Sequence, residues 1–166
     1  LRFEAKGSTS FVIHLASGIL FGPFWGSLIA GASTAISQLL DRKPGVKVLF
    51  NACQHLVSVA GGLLVTELAG AQFPLFGLGA TERLGAIHFG HDLFYFLLFA
   101  GLYFTSNSAT VSAVISASTG NRFMEVWHFS GRGVIGYDLA ASFLAIALAW
   151  LYVGFQDWVG AGSLGL

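Results

Sequence analysis

Along this chain the most telling positions are the charges that are missing. No Asp, Glu, Lys or Arg occurs between positions 7 and 40, and charge-free stretches follow over 48–66, 93–121 and 139–156. Each is close to or beyond the roughly 18 apolar residues that mark a candidate membrane span. The pattern predicts an all-α, polytopic membrane helix bundle forming a single domain over 1–166. As one helix, 7–40 would be about 51 Å long, too long for one ordinary crossing and a little short for two full ones. Gly22-Pro23 interrupts it, and a proline tends to end the helix before it, so helices are predicted over 8–21 and 23–40. Three more are predicted over 46–68, 90–118 and 134–155. The fourth helix, about 43 Å long, reads as one long helix extending out of the bilayer. The alternative is a break at Thr105-Ser106-Asn107-Ser108.

Composition agrees with that reading. The chain is 55% hydrophobic and 10% charged, with a mean hydropathy of +0.74, whereas a soluble domain carries about 25% charge. Too few polar groups exist to cover a water-soluble core of this size. The net charge of zero and the lack of a basic stripe exclude nucleic acid as a partner. The single Cys53 cannot form an internal disulfide and reads as a small core residue. The chain opens on Leu1 without a recognisable signal peptide, which suggests residues upstream.

Charge placement predicts the orientation. With five crossings, Arg2, Lys6, Arg42, Lys43, Lys47, Arg122 and Arg132 fall on one side and Arg83 on the other, so the basic side, with the N-terminus, is read as cytoplasmic. This fits a multi-pass protein of a bacterial inner membrane. Phe21, Phe24, Trp25, Trp150, Tyr152, Phe155 and Trp158 would then form the outer aromatic belt, and Trp127 and Phe129 the inner one.

The polar residues inside the spans are where chemistry could reside. Asn51, His55 and Ser58 share one face of the third predicted helix, with Gln54 one step around it. Buried amides and imidazoles in hydrocarbon need partners, so this face should turn into the bundle or toward a cavity. Interhelical hydrogen bonding is the simplest role; a bound small ligand, or a pigment or haem on His55 or His14, is the functional one. Asn107 in the fourth predicted helix would supply the second wall of a site with Asn51, Gln54 and His55. His88, His91 and Asp92 have spacing for two metal ligands, but no third can be named, and no metal site is assigned. Glu67 and Asp138 lie near span ends and form no obvious proton path. Gly26, Ala30, Thr34 and Gln38 repeat at i+4, a small-residue seam that favours tight helix contact over a pore lining. No catalytic set can be written down, so the protein is expected not to be an enzyme.

Gly22-Pro23 opening a helix of small residues, Asp41-Arg42-Lys43-Pro44 ending it, and Lys47-Val48-Leu49-Phe50-Asn51-Ala52-Cys53-Gln54 beyond it carry a family likeness. Tyr103-Phe104 through Asn107, and Gly120-Asn121-Arg122 leading through Glu125-Val126-Trp127 into a last apolar helix, extend it. Over about 10–156 the chain resembles the membrane region that precedes HD-GYP or GGDEF domains in bacterial cyclic-di-GMP signalling proteins. That region is in turn similar to the substrate-binding subunits of energy-coupling-factor vitamin transporters. The resemblance implies a sensory or small-ligand-binding module with protein partners in the membrane or on its cytoplasmic face. No HD-GYP or GGDEF signature is present in this sequence, so the output would lie elsewhere. The closing residues 159–166 look like the approach to a further helix. The alternatives are a structural subunit of a larger membrane complex, with or without an associated pigment or haem, and a transporter substrate-binding component.

Overall fold

The computed structural model describes residues 10–75, 89–131, 140–152 and 155. The expectations placed on Arg2, Lys6, Arg83, His88, Arg132, Asp138, Trp158 and 159–166 lie outside those residues. The described chain is an all-α bundle of α1 (Ser10–Leu40), α2 (Gly45–Leu68), α3 (Phe89–Thr119), α4 (Phe123–Gly131) and α5 (Ala140–Tyr152). Of these, α1, α2 and all but the first residue of α3 are long and apolar enough to cross a membrane.

Helix α1 is two helices joined without a linker. Gly22 leaves helical geometry at φ 71 and ψ −169, a region essentially closed to residues with a Cβ, and Pro23 starts the second limb. The limbs then run back along each other. A Cβ on Gly26 would lie 2.8 Å from the Cα of Gly18, and Ser17 Oγ is 3.0 Å from the carbonyl of His14 and 3.4 Å from that of Gly26. Backbones approach this closely only where both side chains are hydrogen.

The second limb ends in a hydrogen-bonded cap. Arg42 takes a left-handed φ of 54, the Lys43 N–H donates to the Gln38 carbonyl, and the Arg42 N–H donates to that of Leu39, both at 3.0 Å. This pairs carbonyls that the helix end would otherwise leave open, and Pro44 then starts α2. Gly70, at φ 107, ends α2 in the same way, with the Ala71 N–H on the Thr66 carbonyl.

The first limb of α1 is the axis of the molecule: Phe11, Val12, Leu15, Ala16, Gly18 and Ile19 are all buried. Helix α3 packs against it, with Phe11 stacked on Tyr103 at 5.0 Å and Gly18 under the ring of Phe99. Helix α5 reaches the same core through Ala141, Ala145 and Ala149, spaced four apart. Its end meets the Gly22 turn, where Phe21 and Tyr152 rings lie 5.7 Å apart. Helix α3 is unbroken through Thr105-Ser106-Asn107-Ser108; Thr110 bonds back to the Ser106 carbonyl at 2.9 Å, so that hydroxyl is satisfied within the helix.

Two features were not anticipated. Residues 123–131, read from sequence as a lead-in to the last span, form the separate short helix α4, with Glu125 in its first turn and Phe123 and Trp127 paired one turn apart at 5.2 Å. Cys53, read as a core residue, is exposed, because it lies on the side of α2 that also exposes Leu49 and Val57. The outward faces are strongly apolar, including Phe24, Trp25, Ile36, Leu64, Phe94, Leu144 and Leu151. Lipid is the solvent that suits such a surface.

Candidate functional site

Several of the polar side chains within the helices turn inward. His14, one turn into α1, is fully buried, and its ring lies 4.7 Å from that of His55 on α2. Tyr103 of α3 joins them: its Oη is 2.6 Å from His14 Nδ1 and 2.8 Å from His55 Nδ1. A phenol carries one proton and two lone pairs, so the two imidazoles cannot both accept from it. At least one Nδ1 is therefore protonated and donates to the phenol oxygen. The other nitrogen of His14 is 3.3 Å from both Ser33 Oγ and Thr34 Oγ1 on the second limb of α1. Three helices are thus fastened through one buried phenol and two imidazoles, in surroundings where an unpaired polar group costs about 1–3 kcal/mol.

Amide and hydroxyl pairs lie beside this group, the amides toward the Leu40 end. Gln54 Nε2 donates to Asn107 Oδ1 at 2.7 Å and to the Asn107 backbone carbonyl at 3.1 Å. Asn51 Nδ2 donates to Gln38 Oε1 at 2.9 Å, and Ser58 and Ser106 hydroxyls are 3.1 Å apart. Among the described residues, no buried side-chain nitrogen or oxygen lacks a partner.

All five residues singled out from sequence lie in this interior, but they divide into three groups. His14 and His55 meet through Tyr103, Gln54 and Asn107 pair directly between α2 and α3, and Asn51 turns to Gln38 of α1 instead of facing Asn107. The residues that sequence reasoning missed are Tyr103, Ser33 and Thr34 as partners of the imidazoles. A signal existed: Tyr103, Ser106, Asn107 and Thr110 recur at i, i+3, i+4 and i+7, one face of the helix where its aromatic first half gives way to Ser, Thr and Asn.

Both ring nitrogens of His14 have partners within reach, and no surface of the residue is open. A haem or chlorin metal could reach neither nitrogen without displacing them. His55 differs, since it is only half-buried and, among the described residues, no hydrogen bond engages its Nε2. His91 and Asp92 approach to 3.9 Å, with His91 well exposed, and among the described residues no group of three or more His, Cys, Asp or Glu is placed to hold a metal.

Fold and interior together define a membrane-type helix bundle with an uncharged, hydrogen-bonded centre inside an apolar exterior. No family model matches the chain, and neither does any curated protein or solved structure.

Proposed function

We propose that this chain is a membrane-embedded sensory or small-ligand-binding module without catalytic activity of its own. Its site lies between α2 and α3, around His55, Gln54 and Asn107. The observation that carries the reading is the contrast within the polar interior. His14 is closed on every side, whereas His55, beside it and fastened to the same phenol, keeps an unengaged Nε2 and partial exposure. A ligand that bonds to Nε2 acts on a ring already tied through Tyr103 to α1 and α3, so it favours one helix packing over another. The resemblance to membrane regions of cyclic-di-GMP signalling proteins supports a cytoplasmic partner as the receiver.

In this reading the chain is a multi-pass protein of a bacterial inner membrane with its N-terminus in the cytoplasm. Arg42, Lys43 and Lys47 at the α1–α2 turn and Arg122 beyond α3 support that orientation, since the antiparallel run of these helices brings them to one end.

A second reading is favoured by one detail. An imidazole whose Nδ1 is held by a hydrogen bond, here to Tyr103 at 2.8 Å, while Nε2 stays open is the arrangement found in metal-bound histidines. His55 could therefore ligate the metal of a haem or pigment in a structural subunit.

Native mass spectrometry of the protein extracted gently from its own membrane separates the two. The sensory reading expects a lone chain retaining one small colourless molecule, which His55→Leu releases. Fixed-ratio partner subunits with visible absorbance that His55→Leu abolishes support the second reading, and a lone chain with nothing bound contradicts both.

A further inference from the structure

The amide layer leaves an unusual set of valences open. Gln54 Nε2 donates to a side-chain oxygen and to a backbone carbonyl of Asn107. A backbone carbonyl only accepts, which fixes the orientation of the Gln54 amide and uses both of its N–H groups. Gln54 Oε1 and Asn107 Nδ2 remain. In the second pair Asn51 donates to Gln38, leaving Asn51 Oδ1 and Gln38 Nε2; reversing both amides would still leave one oxygen and one nitrogen. Among the described residues no further hydrogen bond engages any of these four atoms. No buried side-chain polar atom there lacks a partner, so each of the four keeps some accessible surface, including Oε1 of Gln54, a residue only 7% exposed.

Charge is absent from this layer. The acidic and basic side chains of the described residues, Asp41, Arg42, Lys43, Lys47, Glu67, Asp92, Arg122 and Glu125, lie at helix ends or in turns. An ionic ligand at Gln54 and Asn107 would meet no charged side chain along α2 nearer than Lys47, about two helical turns away, so its lost hydration would go largely uncompensated.

From these valences we infer that the accessible space at the amide edge of Gln54 and Asn107, where α2 meets α3, takes a small uncharged molecule presenting an N–H donor beside a C=O acceptor. The edge of a lactam, a cyclic imide or a pyrimidine base has this chemistry. Gln54 Oε1 accepts from the ligand N–H and Asn107 Nδ2 donates to its carbonyl. The inference rests on the reading of this space as a ligand site.

The test uses the full chain in detergent, with uracil, succinimide and 2-pyrrolidone as probes in equilibrium dialysis, and 1,3-dimethyluracil and benzoate as comparators. At least one probe should bind saturably, benzoate should not, and 1,3-dimethyluracil, which lacks the N–H groups, should bind roughly tenfold or more weakly than uracil. Asn107→Asp keeps the oxygen that accepts from Gln54 and exchanges the free nitrogen for oxygen, so it should weaken the bound probe by a similar factor while the helix content measured by circular dichroism is retained. Absence of saturable binding by all three probes, equal binding of uracil and its dimethyl analogue, or indifference to a folded Asn107→Asp would overturn the inference. If native mass spectrometry then shows a retained molecule that is charged or lacks an N–H beside a carbonyl, the ligand site stands and the amide-edge chemistry is wrong. With nothing retained and nothing bound, both fail.

Discussion

The two ends of the bundle are held together by different physics. Toward the Gly22 turn, helices meet through glycine and aromatic rings: Gly18 against Gly26, and Gly18 and Gly62 against Phe99, with Phe96, Leu63 and Ile19 fully buried around them. Toward the Leu40 end they meet through hydrogen bonds, from the His14–Tyr103–His55 group to the Gln54–Asn107 and Asn51–Gln38 pairs. One stripe of α1 passes through both regions. Gly26 gives close backbone approach and Ala30 fills the core, while Thr34 reaches His14 and Gln38 bonds Asn51. Lipid offers little hydrophobic drive for helices to associate, so close packing has to supply the cohesion. The polar end leaves amide valences open, which is why it is the end suited to binding.

The sharpest way to break the packed end is Gly26→Ala. Its Cβ would meet the Cα and N of Gly18 and the carbonyl of Ser17 at 2.8–3.1 Å, all backbone atoms that cannot swing aside. A loss of about 3 kcal/mol, the upper end for overpacking, is expected in unfolding by denaturing detergent followed by circular dichroism. Next is Tyr103→Phe at the boundary between the regions, which strips a partner from both imidazoles at once and should cost about 2 kcal/mol in the same assay. Gln54→Leu alone should cost about 1 kcal/mol, because it leaves Asn107 Oδ1 without its donor in a half-exposed position. The smallest effect is expected at Gly61, where a Cβ meets nothing within 4 Å. Gly61→Ala should leave stability unchanged or raise it by up to about 1 kcal/mol. If Gly26→Ala and Gly61→Ala behaved alike, the packed end would not have the close contacts ascribed to it.

How far the sequence foretold this arrangement follows the same division. The break at Gly22-Pro23, the turn at Asp41-Arg42-Lys43-Pro44 and the continuous α3 were legible because local chemistry decides them. The polar face of α2 was legible from helical spacing. Tyr103 as the shared partner was not, since its imidazoles lie 89 and 48 positions away and a tyrosine within an aromatic run reads as packing. The pairing of Asn51 with Gln38 was equally hidden, because spacing along α2 shows which residues share a face but not which neighbour that face meets. Nor could the sequence show that the first limb of α1 would be central. In a chain apolar on every side, no amphipathic stripe tells the buried face from the lipid-facing one.

The most direct test of the account is the double variant Gln54→Leu/Asn107→Leu, measured for stability and for retained small molecule by native mass spectrometry. Replacing both partners leaves neither without its mate, so stability should stay within about 1 kcal/mol of the parent, while the bound molecule is lost. A variant that keeps its bound molecule, or one that no longer folds, would show that the polar end is structural glue and contradict its assignment as a binding site.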